Sequence, residues 1–287
     1  MDSHQDSEPE TSQFVGKDGK LLSAWRHDYK GNCWWCGQPA DSGEHKYKKS
    51  DLVRDFGKGP WSGKNAVVKV AEGREKGLQS PGSAGLRFAK VLCSTCNSAR
   101  SQKADLAYVQ FSDYVIKQQE SILESGCFQW PAIFGRSWRS GRNLVTAYWL
   151  KHIGCRLAEG GVEVDPKIID FLNRPGRIKH VPLRMELGIH EDLVALAEHL
   201  KSHGHGSGSF WIGDLKCSFS KSRRRITSVS SHWGLAWLRL TYEWSGEFTK
   251  ANVNFWDKQI CPARFAILGP ESIEKNCGLC GEENAEE

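Results

Sequence analysis

Apolar residues alternate with polar ones in a few short runs of this chain and recur at helical spacing in several longer ones. Residues 66–70 (AVVKV) and 86–92 (LRFAKVL) read as strands separated by a Gly/Ser/Pro loop at 79–85, and they are expected to pair as a hairpin. Residues 104–125 set Leu106, Val109, Tyr114, Val115, Ile116, Ile122 and Leu123 near helical spacing, with Gly126 as the stop. Before these, residues 44–56 are flanked by glycines and read as a short strand or turn feeding a helical piece, and 57–63 (GKGPWSG) as a loop. After them, 130–140 reads as a basic aromatic linker. Residues 143–159, 165–173 (with Pro166 in the first turn) and 189–202 read as three helices. Strand patterns at 209–219, 225–231 and 234–244 then predict an antiparallel meander whose first turn is the basic KSRRR. The expected fold class is α+β.

Length and composition change this picture little. The chain has 287 residues, 39% hydrophobic and 25% charged, which suits one or two globular domains. No apolar run approaches the ~20 residues of a membrane span, and the acidic N-terminus has no apolar stretch of a secretory signal. Ten cysteines, four of them at metal-ligand spacing, point to a reducing cytoplasm rather than a disulfide framework.

Charge adds more. The net +5 conceals a segregation: residues 1–14 carry four acids and no Lys or Arg, and residues 271–287 carry six acids against Lys275. Residues 15–103 hold 17 Lys/Arg against 8 Asp/Glu. A positive field of that density attracts polyanions, nucleic acid the commonest. Residues 1–13 and 271–287 are expected to be acidic tails.

The candidate chemistry lies in the same basic stretch. Cys33 and Cys36 (CWWC) form one CxxC pair, and Cys93 and Cys96 (CSTC) form another. Together they offer four soft ligands, a full tetrahedral set for one structural Zn2+ with no position left open. The 56 residues between the pairs are no obstacle, because each doubling of a closed loop costs only about 0.6 kcal/mol. Trp34 and Trp35 are read as packing around the knuckle. Glu44 and His45 follow the first pair, and Asn97, Arg100, Gln102 and Lys103 follow the second.

That order resembles the zinc-stapled HNH endonucleases of the ββα-metal fold, over residues 33 to about 110. In them a Cys pair precedes an acid-His dipeptide and a second Cys pair runs into His or Asn at the start of a helix. The resemblance implies a nuclease domain, read at 14–126, and the helix and strand patterns beyond it are read as an α+β accessory domain at 127–270. It implies that His45 is the general base, that Glu44 and Asn97 ligate a catalytic Mg2+ or Mn2+, and that DNA is the partner. Arg100, one helical turn past Asn97, is read as a phosphate contact. Lys46, Lys48, Lys49, Arg54, Lys103 and Arg224 are read as holding the nucleic-acid backbone without reading sequence. Asn97 is equally placed to cap the following helix. The family's middle Asn is replaced here by Phe88, with Asn65 the nearest substitute in the sequence. The same residues also suit a second class, a non-catalytic zinc-stapled nucleic-acid-binding module.

Three further features carry less. His199, His203 and His205 lie in a Gly/Ser-rich run and read as spacer, Arg223 to Arg225 as a basic turn. Cys277 and Cys280 make a third CxxC, two ligands short of a tetrahedral site.

Overall fold

In place of the strand expected at 86–92 there is a 3-10 turn at Ala84–Leu86 and an extended stretch joined to residues 42–46 by two isolated bridges, Ser42–Leu92 and His45–Arg87, in the computed structural model, which describes residues 27–63, 66–71, 74–176, 183–189, 210–213, 215–220, 225–235, 238–245 and 259–265. Ser42 exchanges backbone hydrogen bonds with Leu92. The Phe88 amide donates to the Glu44 carbonyl at 2.8 Å, and the Lys46 amide donates to the Leu86 carbonyl at 2.7 Å. The register slips between the first pair and the others, and Gly43 sits at the slip. A Cβ there would stand 2.5 Å from the Phe88 carbonyl oxygen, so the 86–92 segment bulges over a position that only glycine can fill.

Residues 66–70 pair elsewhere than expected. They belong to β1 (Val67–Ala71), which runs antiparallel to β2 (Arg74–Leu78) in a two-stranded ribbon. β2 begins only two residues after β1, so this pairing closes a far shorter loop than one to 86–92 would. Ahead of the ribbon, α1 (Lys49–Phe56) packs Leu52 against Trp61, Leu78 and Leu86 in a satellite core.

Helix α2 (Gln102–Lys117) and helix α3 (Gln119–Ser125) replace the single helix expected over 104–125. The break is at Gln118, whose φ of −104° and ψ of 20° leave the helical region, and Gly126 ends α3 in the left-handed conformation. The expected linker at 130–140 is folded. It follows β3 (Cys127–Gln129) and contains α4 (Trp130–Phe134), whose Trp130 is fully buried among Phe111, Phe128 and Phe134. Four rings in that space favour burial over a solvated connection.

Helix α5 (Trp138–Glu159) is the axis of the molecule. Every residue from Val145 to Cys155 is buried, as befits a helix enclosed on all sides rather than laid on a surface. Helix α6 (Pro166–Asn173) follows, its first turn capped by Asp165, which accepts from the Lys167 amide at 2.7 Å.

The remaining described strands are β4 (Leu183–Ile189), β5 (Phe210–Ile212), β6 (Lys216–Ser220), β7 (Arg225–Leu235), β8 (Leu238–Ser245) and β9 (Ile260–Phe265). With β3 they form one sheet in the order β3-β9-β4-β8-β7-β5, with β6 also on β7. The expected meander is present as β6-β7-β8, antiparallel throughout. The strand read at 209–219 is divided into β5 and β6. Mixed helices and largely antiparallel strands make the fold α+β. One core of buried side chains runs from Cys33 and Trp34 through Tyr108, Trp149 and Ile153 to Tyr242 and Trp244, so packing is continuous across the boundary read at 126/127. Among the described residues no helix is long and apolar enough to cross a membrane. The tails at 1–13 and 271–287, most of the helix read at 189–202, and Asn65, His199, His203, His205, Arg223, Arg224, Cys277 and Cys280 lie outside the described residues.

Candidate metal centre and its polar surroundings

The two CxxC pairs meet. The sulfurs of Cys33, Cys36, Cys93 and Cys96 all lie within 4.8 Å of one another, the one group among the described residues with three or more ligands arranged for a metal ion. The backbone brings them there. The Trp34 amide donates to the Val91 carbonyl at 3.1 Å, pinning the first knuckle to the segment that leads into the second. The second knuckle opens directly into a π-helical turn, Cys96–Arg100, and then α2. The Cys96 amide donates to the Cys93 sulfur at 3.4 Å, and an Arg100 Nη1–H donates to the Cys96 sulfur at 3.5 Å. Four sulfurs so close cannot all ionise without a cation among them, and their number and softness suit an ion such as zinc.

Arg100 is therefore directed at the metal group. Its guanidinium also lies 5.4 Å from the Trp35 ring centroid, stacked on the knuckle rather than extended toward a phosphate.

Asn97 directly follows this group, and His45 lies on the 42–46 segment to which Asn97 is tied. His45 is half-buried on the 42–46 segment, bridged through its backbone to Arg87. Burial pushes its imidazole below its usual pKa, helped by the Arg87 guanidinium, so the ring is neutral at neutral pH. Asn97 Nδ2–H donates to the Ser42 hydroxyl at 2.8 Å, tying the π-helical turn to the same segment. Two buried polar atoms here have no partner: His45 Nε2 and Asn97 Oδ1. Unsatisfied buried atoms cost free energy in a folded chain and mark a place where a ligand or water belongs.

Glu44 is not beside them. It is 6% exposed, and its carboxylate meets the Lys151 ammonium at 2.7 Å. In an extended segment neighbouring side chains take opposite faces, so the acid of the Glu-His dipeptide turns into the core while the His lies nearer the surface. Lys151, on α5, also reaches Asp105 at 3.1 Å and the Ser101 hydroxyl at 3.2 Å, which uses all three of its protons. Asp105 accepts as well from Lys48 at 2.7 Å and from Ser101 at 2.7 Å. Burial alone would lower Lys151, but Glu44 and Asp105 more than offset it and hold the ammonium charged. Asp105 is likewise kept ionised, against its burial, by Lys151 and Lys48. Two cations and two carboxylates thus close a neutral network inside the protein. The expected catalytic Mg2+ or Mn2+ does not fit this arrangement: the carboxylate meant to hold it is spent on Lys151, leaving the Asn97 amide oxygen alone.

The sequence did not single out Lys151 as part of this network. Its signal was present: Lys151 and His152 interrupt the apolar run from Leu144 to Ile153, where a charge has no place unless it is paired. His152 Nε2–H donates to the Lys46 carbonyl at 2.9 Å, and full burial lowers its pKa to about 3.

The expected phosphate-binding cations divide. Lys46 is paired with Glu159 at 3.1 Å, Lys48 with Asp105, and Arg54 with Asp51 and Asp113. Lys49 and Lys103 are exposed. A cleft of about 420 Å³ opens between the start of α2, α5 and the end of α6, walled by Trp35, Arg100, Lys103, Leu144 and Asn173 with Lys151 in its lining; His45 and Asn97 are not part of it. No protein-family model matches this chain, and no curated protein or solved structure is significantly similar to it.

Proposed function

We propose that this chain is a zinc-stapled HNH-type nuclease acting on DNA, with His45 activating the water that attacks a phosphodiester. One observation carries the reading: the two positions that the HNH resemblance selects, His45 and Asn97, each keep a buried polar atom without a partner, and Asn97 directly follows Cys96 of the four-cysteine group. A neutral His45 accepts the proton of the attacking water at Nε2, and burial keeps it ready to do so near neutral pH. Asn97 Oδ1 accepts a hydrogen bond from that water or from a bound group. Zinc takes no part in the chemistry; it holds the 42–46 segment and the π-helical turn in register.

A second reading, a non-catalytic nucleic-acid-binding module, draws on a different observation. Glu44 is sealed by Lys151, and Phe88, in the place of the family's middle Asn, is buried edge-on against His152. Incubation of supercoiled plasmid with the full chain in Mg2+ or Mn2+, with and without EDTA and beside His45→Ala, separates the two. The nuclease reading expects nicked circles from wild type and none from the variant at unchanged zinc content. Salt-dependent binding without nicking would instead establish the module.

A further inference from the structure

We infer that the β1–β2 ribbon is a duplex-DNA contact that enters the major groove; this rests on the reading of the chain as a DNA-acting protein and adds the surface and the groove. Residues 46–90 carry eleven Lys/Arg against four Asp/Glu. Several of these cations are already paired internally, as Lys46, Lys48 and Arg54 are. Those of the ribbon are not: among the described residues neither Arg74 nor Lys76 has an ion-pair partner, and Arg74, Glu75, Lys76 and Gly77 are all exposed.

The register sorts these charges by face. Directly opposed residues of an antiparallel pair project to the same side. Val67 with Leu78, Lys69 with Lys76 and Ala71 with Arg74 therefore share one face, while Val68, Gly77 and Glu75 lie on the other. The first face is anchored at one end, where Val67 and Leu78 pack with the satellite core, and is purely cationic toward the other. Lys69 and Lys76 stand opposite each other, a pairing of like charges that weakens an isolated ribbon and is relieved by an anion between them. The Lys69 ammonium donates to the Gly85 carbonyl at 3.2 Å, fixing the ribbon's base to the turn that precedes the 86–92 segment.

The shape suits one occupant. A two-stranded ribbon, its strands about 4.8 Å apart, is an element that a B-form major groove about 12 Å wide admits. The A-form groove of duplex RNA is too deep and narrow for it. Lysine and arginine along one face then meet the phosphates of one groove wall, and Val68, 47% exposed, is left on the face turned to base edges and thymine methyls.

The test is binding of the full chain to a labelled DNA duplex across a salt series, with Arg74→Glu/Lys76→Glu and the milder Arg74→Gln/Lys76→Gln as variants. Unchanged zinc content and far-UV circular dichroism check their folding. We expect the reversal to weaken binding at least tenfold, and the log K against log[salt] slope to fall by about 2 as two phosphate contacts are lost. Bulky adducts at pyrimidine C5, which fill the major groove, should weaken wild type and leave the variants' residual binding unchanged. Variants that bind like wild type, indifference to the adducts, or equal affinity for duplex RNA would each overturn the ribbon's role while leaving the nuclease reading intact. Failure of wild type to bind any nucleic acid would remove both.

Discussion

Lys151 shows how one residue ties the metal-binding stretch to the rest of the chain. Its ammonium is 1% exposed and satisfies carboxylates from two separate segments, Glu44 and Asp105. Replacing it with methionine leaves the buried Glu44 carboxylate without its cation, while Asp105 keeps Lys48, and we expect Lys151→Met to lower unfolding free energy by about 3–5 kcal/mol in urea titrations. Glu44→Gln should also destabilise, which a surface metal ligand would not do. The neighbouring His152 gives a pH signature. Its pKa is about 3 in the folded chain against an ordinary 6.5, so the stability gained by keeping it neutral is complete above 6.5 and lost as pH falls toward 3. At pH 5 the loss should reach about 2 kcal/mol. His152→Gln keeps a donor for the Lys46 carbonyl but does not titrate, so its stability should decline less than wild type's between pH 7 and 5.

At the level of elements, α5 organises the packing. Gly154 faces the first knuckle so closely that a Cβ would come within 2.4 Å of the Trp34 ring, whereas one at Gly160 would meet nothing nearer than 3.5 Å. Gly154→Ala should therefore cost about 1–3 kcal/mol through overpacking, and Gly160→Ala close to nothing, in parallel thermal melts. The elements were legible in the sequence where a periodic pattern is also a local one. Helices α2, α5 and α6, the strands of the meander and the meeting of the cysteines follow from spacing alone. Partnership was less legible. The residues at 66–70 and 86–92 both look like strands, yet β2 lies closer in sequence to the first, and Gly43 admits the second at 42–46. Side-chain direction was least legible: nothing in the dipeptide Glu44-His45 says that its acid is claimed by a lysine more than a hundred residues away on α5. The ring cluster around Trp130 was missed for a related reason, because aromatic residues mixed with arginines read as a solvated linker until a core is there to receive them.

Across the whole molecule, one continuous core joins the four-cysteine segment and its helical turn to a helix-and-sheet body. If His45 is the base, nicking should hold steady from about pH 8 to 6.5 and decline only below, because burial moves its titration to the acid side of the ordinary value. The claim on which the rest depends is that Cys33, Cys36, Cys93 and Cys96 share one ion. Zinc K-edge X-ray absorption on the purified full chain, beside Cys93→Ser/Cys96→Ser, tests it most directly. The account predicts four sulfur neighbours at about 2.3 Å in wild type and the loss of one zinc per chain in the double variant. Equal zinc content in the two proteins, or a first shell dominated by nitrogen and oxygen, would contradict it.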